Sequence, residues 1–269
     1  MLSLKRGKSN IVSVSLNPQY LTCCFAQAPT NKAKHSKGFC PSKKEKRKER
    51  EEEKNRAAIK INAYQRKKLT SLEFERSILF NPTKISTVIS KFIKNNNITK
   101  PIIALSVSGP NIFEKMVTLS TSSPSISDFK LDSSVTSNNM QLSHTYVCPS
   151  LSSGLHSGFD FYICGISREH LFQYTLLTKK IGAKLALITT ERSSIIQLYK
   201  HLNSQNFSQS QLALDLNQNN YDFNEIISPE IIAKNFILKN NLYIDLDKEA
   251  RHIATGIGLF LLGKNAWKK

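Results

Sequence analysis

The chain lacks the patterns by which several large enzyme families are recognised. None of its ten glycines lies in a G-x-S-x-G motif, and no paired carboxylates mark a cleft. Gly7-Lys8-Ser9 resembles the end of a phosphate-binding loop, but the first glycine of that motif would be Leu2. Gly256 and Gly258 begin like a dinucleotide-binding motif, yet only 11 residues follow. We therefore expect no catalytic residues and no cofactor, and a protein that is not an enzyme.

Metal-binding and disulfide patterns are also missing. The five cysteines are odd in number and scattered, which favours a reducing cytoplasm. His35 precedes Cys40 and His144 precedes Cys148, but neither pair has a second pair at zinc-like spacing. We expect no metal site.

No hydrophobic run is long enough to span a bilayer. The longest uncharged apolar run, residues 253 to 263, has 11 residues, against about 20 for a spanning helix. Near the amino terminus, residues 17 to 20 divide the apolar run that a signal peptide would need. These patterns predict a cytoplasmic protein without a membrane span.

Positive charge is concentrated in the first quarter of the chain. The net charge is +18, and residues 1 to 68 hold 18 Lys/Arg against 5 acids. Residues 43 to 56 contain eight bases, five acids and no apolar residue, so the loop 29–56 is predicted to be disordered. Segment 32–68 has only Phe39 and Tyr64 as aromatics. A nucleic-acid-binding protein using this segment is the alternative function, but nucleic acid is not the partner that we expect.

Hydrophobic periodicity in the first half predicts strands and one amphipathic helix. Residues 11–16 and the run from Tyr20 form a hairpin around Asn-Pro, and residues 57–64 alternate like a strand. A helix follows with Asn81 as N-cap and Pro82 at its first position. Its apolar face is Ile85, Val88, Ile89, Phe92 and Ile93.

Strands and helices continue to alternate in the rest of the chain. The predicted strands are 101–108, 112–119, 140–147, 161–166 and 184–189, and the predicted helices are 167–181, 191–202 and a buried helix at 252–263 with small residues on one side. We predict Phe172 and Leu176, and separately Leu171, Tyr174 and Leu177, as core or interface side chains. We predict Glu169, Glu191, Asp245 and Asp247 as solvated or capping residues. The alternation indicates an α/β protein.

In order, these pieces resemble the PilM-type protein, the actin-like component of type IV pilus and competence assembly. The resemblance rests on the first hairpin "IVSVSLNPQYLTCCFA", on "FNPTKISTVISKFIKNNNITKPIIALSVSGPNIFEKMVTL", on "FYICGISREHLFQYTLLTKKIGAKLALIT" and on the closing "IATGIGLFLLG". It implies a partial actin-like (ribonuclease H-like) fold, a single lobe with an inserted αβ subdomain and a disordered basic loop.

The resemblance also implies a division of the chain. The first hairpin of the lobe is 1–28, the basic loop is 29–56 and the α/β lobe is 57–120. A Ser/Thr-rich connection, 121–158, precedes the strand-helix-strand-helix unit 159–202. Residues 203–251 form a short replacement for the missing second lobe, and 252–269 form the closing helix.

Two departures from the ATP-binding actin-like pattern imply a degenerate nucleotide site. The positions of the magnesium-organising Asp and the phosphate-approaching Gly are Ser15 and Asn17 here. Residues 203–251 are too few for a second lobe and its phosphate hairpin. The resemblance thus implies a truncated pseudo-ATPase.

The implied function is a non-catalytic cytoplasmic scaffold of a type IV pilus-like inner-membrane assembly platform. It would dock the cytoplasmic tail of a PilN-type bitopic membrane protein and contact other platform components, and no residue of this chain is singled out as the partner-binding site. The protein would associate peripherally with the inner membrane, and the basic loop would contact anionic lipid.

Overall fold

The computed structural model describes residues 10–28, 59–131, 139–149, 158–203, 228–239 and 242–267. The basic loop 29–56, much of the connection 121–158 and most of residues 203–227 lie outside these ranges. Within them the chain is mixed α/β, with a central sheet and helices.

The central sheet has six strands. They are β1 (Ile11–Leu16), β2 (Tyr20–Gln27), β3 (Ile59–Lys68), β6 (Ile102–Val107), β10 (Lys184–Thr190) and β11 (Phe236–Leu238), and their spatial order is β10-β6-β1-β2-β3-β11. β1, β2 and β3 form an antiparallel meander, whereas β6 and β10 lie on the other side of β1 and run parallel to it. β1 and β6 are buried along their whole lengths, as their continuous apolar and small residues predict.

A smaller antiparallel sheet is inserted between β6 and β10. It consists of β7 (Phe113–Leu119), β8 (Met140–Pro149) and β9 (Phe159–Ser167), with β9 in the centre. The unit 159–202 therefore does not form one sheet, because β9 belongs to the inserted sheet and β10 to the central one. Two short strands, β4 (Phe74–Glu75) and β5 (Ile78–Leu79), form a separate hairpin.

Helices cover both faces of the central sheet. α1 (Pro82–Asn95) and α2 (Arg168–Ile181) pack on the face that carries Val12 and Val14, and α3 (Glu191–Asn203) and α5 (Leu246–Ala266) pack on the face that carries Ile11. The short α4 (Pro229–Asn235) contacts α5 and leads into β11. None of the helices that the structure describes is both long and apolar enough to cross a bilayer.

Local signals confirm several predicted element ends. The Asn81 side chain accepts a hydrogen bond from the Lys84 amide at the start of α1. Ser167 caps α2 by accepting from the His170 amide, and Gly182 ends that helix in the left-handed conformation, at a φ of 73°. The closing helix starts at Leu246 rather than residue 252, so its first turns are charged.

Glycines allow α5 to approach its neighbours closely. A Cβ on Gly256 would lie 2.7 Å from the Cys24 Cβ, and one on Gly258 would lie 1.9 Å from the backbone oxygen of Ser194 in α3. Gly256 and Gly258 both lie within α5, but they are two residues apart and face β2 and α3 respectively, so the prediction that the small residues share one side is wrong for this pair. Close packing of the helix accounts for both glycines of the sequence G-I-G, so a dinucleotide-binding role is not needed to explain them.

We expect Gly258→Ala to destabilise the protein by about 3 kcal/mol, because the new Cβ would overlap backbone that cannot move independently. Gly182→Ala is the contrasting variant. It meets no atom within 4 Å and should cost only about 1 kcal/mol through its left-handed backbone. Urea unfolding measures both, and equal losses would contradict close helix packing as the cause.

Candidate functional site at the carboxyl ends of the parallel strands

The parallel strands β1, β6 and β10 end side by side. Leu16 pairs with Val107, which also pairs with Thr190. In open α/β sheets, ligands bind beyond the carboxyl ends of the strands. Here a cavity of about 380 Å³ is lined by Asn17, Pro18, Gln19, Tyr20, Ser108, Glu191, Arg251 and His252. This cavity is the candidate site.

Asn17 closes the turn between β1 and β2. Its Oδ1 accepts hydrogen bonds from the backbone N–H groups of Gln19 (3.0 Å) and Tyr20 (2.7 Å), and its own N–H donates to the Tyr20 carbonyl. Backbone N–H groups in a turn are the usual ligands of a phosphate. In this turn, two of them are already bonded to a side chain.

Ser15 lies in β1 just before the cavity and is 5% exposed. It pairs with Thr22 of β2 on one side and with Ser106 of β6 on the other, so that three hydroxyl residues form a row. A hydroxyl carries no charge with which to hold a magnesium ion. Asn17 lines the cavity, whereas Ser15 lies two residues before it in β1 and is not among the cavity-lining residues.

Glu191 is the first residue of α3 and lines the cavity. It was predicted as a solvated or capping residue, and the prediction of solvation is wrong because the residue is only 8% exposed. Its Oε1 lies 3.1 Å from Arg251 Nε and accepts from Thr255 Oγ1 at 3.4 Å. A carboxylate at the start of a helix is also stabilised by the helix dipole. The other three acids, Glu169, Asp245 and Asp247, are exposed as predicted.

A second carboxylate of α5 joins that helix to the sheet. Glu249 lies 2.6 Å from Arg66 Nη2 and accepts a 2.5 Å hydrogen bond from the Tyr64 hydroxyl. The Arg66 guanidinium stands 4.5 Å above the Tyr20 ring. Burial, followed by the hydrogen bond to Glu249, raises the pKa of Tyr64. These contacts clamp the first turns of α5 onto β2 and β3.

His252 lies between the two ion pairs. Its ring packs edge-on against Tyr20, with centroids 5.6 Å apart. Burial, and then the positive charge of Arg66, hold the pKa of His252 below its ordinary value. The neutral imidazole is therefore the form that the folded protein favours.

The charged side chains of the site form ion pairs with one another. Both carboxylates are paired with guanidinium groups on neighbouring elements. Across the ranges that the structure covers, no group of three His, Cys, Asp or Glu side chains is placed to hold a metal ion. His144, whose spacing to Cys148 was not expected to form a metal site, packs against Phe129 and Phe161. The arrangement joins α5, α3 and the sheet by ion pairs.

Of the two nucleotide positions expected to be degenerate, Asn17 lines this cavity and Ser15 does not, and sequence reasoning missed Arg251 and His252, which line it, and Glu249, which pairs with Arg66. The signal that was available is a cluster of charged residues in the first turns of a helix that is otherwise apolar. Because the closing helix was started at residue 252, this cluster was assigned to the preceding segment.

A second cavity of similar volume, about 390 Å³, opens near the amino end of β1. It is lined by six carboxamide side chains, together with Lys239, Phe25 and Ile98. It contains no carboxylate and no histidine, and Lys239 is the one titratable side chain among its lining residues. We therefore place the candidate site at the opposite end of the strands.

Replacing Arg251 with Met should destabilise the protein by about 2 kcal/mol, because the Glu191 carboxylate would stay buried without its cation. The magnitude is reduced because the Arg251 side chain is 44% exposed. Adding Glu191→Gln to Arg251→Met should lower the free energy of unfolding little further, because the carboxylate has already lost its cation. A double-mutant cycle measured by urea unfolding gives the coupling energy, and a value near zero would contradict the ion pair.

Stability should fall as pH drops below about 6.5, the ordinary pKa of histidine. The folded state lowers the pKa of His252, so the unfolded chain takes up that proton first. His252→Phe keeps a ring against Tyr20 and should reduce this slope. Some slope should remain, since burial also lowers the pKa of His201. Unfolding free energies at pH 7.5 and 5.5 test this, and an unchanged slope in the variant would contradict it.

No protein-family model and no curated protein matches the chain. Among solved structures, its fold is similar to the "PilM-PilN type IV pilus biogenesis complex", with a TM-score of 0.47 and 7% identity over 74% of this chain and 52% of that one. It is also similar to the cytoplasmic domain of EpsL, an inner membrane component of the type II secretion system of Vibrio cholerae. There the TM-score is 0.36, with 9% identity over 69% of this chain and 57% of that one. The chain thus spans little more than half of either structure, and likeness at this level establishes neither a family nor a function.

Proposed function

We propose that this chain is a non-catalytic cytoplasmic scaffold with a partial actin-like fold. It docks the cytoplasmic tail of a PilN-type bitopic membrane protein within a type IV pilus-like assembly platform at the inner membrane. The proposal rests on the sequence resemblance, on the order of the central strands and on an exposed apolar surface of α2.

Strand order supports the fold assignment. An antiparallel meander of three strands, followed by two strands parallel to the first on its far side, is the order of a ribonuclease H-like sheet. In the proposal, the inserted sheet and α2 make up the αβ subdomain. The described part of segment 203–251 adds β11 to the edge of the same sheet, beside β3. This agrees with a single lobe.

The candidate site supports a scaffold that does not use ATP. The Asn17 side chain accepts hydrogen bonds from two backbone N–H groups of the turn. At the ends of the strands, Arg251 forms an ion pair with Glu191. A nucleotide phosphate entering this cavity would have to displace both arrangements. Internal pairing of this kind stabilises a fixed structure rather than a vacant binding site.

The observation that carries the docking proposal is a cluster of exposed apolar side chains, which we call the α2 surface. Phe172 and Leu176, one helical turn apart, are 63% and 46% exposed, so their assignment to the core is wrong. Tyr174 and Leu177, by contrast, are buried as predicted, and Leu171 is half-buried. Phe80 and Leu72 are 57% and 82% exposed on the adjoining β4–β5 segment. Clustered exposed apolar side chains are typical of protein-binding surfaces.

Buried polar contacts hold the two parts of the α2 surface together. Gln173 accepts from the Leu79 amide, and the Tyr174 hydroxyl donates to the Ser77 carbonyl. Glu73, which is 3% exposed, accepts from the Thr70 amide and lies 2.9 Å from Lys84 Nζ. That ion pair lowers the pKa of Glu73 to about 2. The surface is therefore preorganised, which reduces the entropic cost of binding.

An extended apolar peptide segment suits this surface. Phe172 and Leu176 lie at i and i+4 on α2, so a partner can cover both from one side of the helix. Exposed bases outnumber exposed acids on α2 and the β4–β5 hairpin, with Arg168, Lys179, Lys180 and Arg76 against Glu169 and Glu75. We therefore expect the docked tail to carry apolar residues flanked by acidic ones.

The nucleic-acid alternative loses support where its segment is described. Of the bases in residues 59–68, Arg66 is paired with Glu249, and Lys67 lies 3.7 Å from Glu73. Cations engaged in intramolecular pairs contribute less to phosphate binding. The rest of segment 32–68 lies outside the described residues. Contact between the basic loop 29–56 and anionic lipid remains part of the proposal, as does peripheral association with the inner membrane.

Peptide binding tests the docking proposal. The probe is a fluorescent peptide with the sequence of the cytoplasmic tail of the PilN-type protein from the same organism, measured by anisotropy. Phe172→Ala combined with Leu176→Ala should raise the dissociation constant at least about tenfold, as expected for removal of two anchors. Lys91→Ala, an exposed lysine on α1, is the control and should change it about twofold or less. Absence of binding to the unmodified chain, or equal effects of both variants, would contradict the proposal.

A further inference from the structure

Most strand edges in the structure carry features that prevent pairing with another chain. Open edges expose backbone N–H and C=O groups, and proteins protect them by charge, bulges or short length. In the central sheet, β10 begins with Lys184 and has a register shift between Leu185 and Leu187, and β11 has only three residues. In the inserted sheet, β7 carries Glu114 and Lys115.

The edge strand β8 lacks these protections from Met140 to Tyr146, since its register shift lies between Tyr146 and Cys148. Its ten residues, Met140–Pro149, include no Asp, Glu, Lys or Arg, and its only proline is the last residue. Among the strands that the structure describes, β8 pairs with β9 alone. Long, uncharged edges of this kind are ready templates for another strand.

Two contacts show which backbone groups of β8 face outward. The Asn139 carbonyl accepts from the Arg168 amide, so residue 139 faces β9. The Tyr146 carbonyl accepts from the Lys200 ammonium on the other side. The backbone N–H and C=O groups of successive residues in a strand point to opposite sides. Those of Met140, Leu142 and His144 therefore point away from β9. Nothing in the described ranges accepts from or donates to these outward groups.

We propose that β8 pairs antiparallel with β8 of a second copy of this chain, joining two inserted sheets into one of six strands. In a two-fold dimer, the outward N–H and C=O groups of each β8 strand form the same hydrogen bonds with those of the other. The strand has no formal charge, so two copies meet without like charges opposite each other. Much of the positive charge lies in residues 1 to 68, outside the inserted sheet.

Side chains beside the edge favour the same partner. His144 and Tyr146 lie on one face of the inserted sheet, where both rings contact Phe161, and Tyr146 also contacts Phe159. Tyr146 is nevertheless 38% exposed. A second β8 would continue this aromatic face across the two-fold axis and cover part of the Tyr146 ring.

Sedimentation velocity between about 1 μM and about 500 μM tests the pairing, since weak interfaces associate in this range. The mass should rise with concentration from 30.4 kDa toward twice that value. His144→Pro removes one outward N–H and should raise the dissociation constant at least about tenfold. His144→Ala loses the same ring but keeps the N–H, and should change it much less. A monomer throughout, or a dimer that both variants weaken equally or neither weakens, would overturn the proposal.

Hydrogen exchange of the unmodified chain provides a second test, which does not depend on whether the proline variant folds. The amides of Met140, Leu142 and His144 should become protected as concentration rises. Those of Gln141, Ser143 and Thr145 point toward β9 and should be protected at every concentration. Loss of this alternation in a dimer would show that another surface associates, and would overturn strand pairing.

Discussion

The close contact between α5 and the central sheet is the constraint on which the rest of the structure depends. Gly256 and Gly258 allow that helix to touch Cys24 in β2 and Ser194 in α3 without intervening side chains. The strands that face α5 also carry small buried residues, among them Ser13, Ser15, Ala104 and Ser106. The apolar half of α5 can therefore be fully buried, and its charged first turns are carried to the carboxyl ends of β1, β6 and β10.

That position explains why the end of the sheet where ligands commonly bind is filled by internal pairs. Glu191, Arg251, Glu249 and Arg66 each find an opposite charge on another element, so the interaction energy is used to hold α5 in place. The exposed apolar area lies elsewhere, on α2 and the β4–β5 hairpin, which hydrogen bonds join to each other. Under the proposed function, this end of the sheet has a structural role and partner binding takes place at the α2 surface.

Much of the fold follows from local sequence signals. Asn81, Pro82, Ser167 and Gly182 mark helix ends through contacts of a few residues, and the continuous apolar runs of β1 and β6 indicate buried strands. Contacts between elements that are distant in sequence do not follow from such local signals. Nothing local indicates that β9 and β10 enter different sheets, that Glu191 meets Arg251 across 60 residues, or that Phe172 faces solvent while Tyr174 is buried. These outcomes depend on which elements pack against one another.

The proposal that this cavity does not bind a nucleotide is tested most directly by calorimetric titration of the full chain with Mg-ATP. Asn17 bonds the turn N–H groups and Ser15 provides no charge for the metal, so we expect no heat of binding up to millimolar nucleotide. The comparison is Asn17→Gly with Ser15→Asp, which restores the acid and the glycine and should increase any residual affinity. Micromolar binding of Mg-ATP to the unmodified chain would contradict the account.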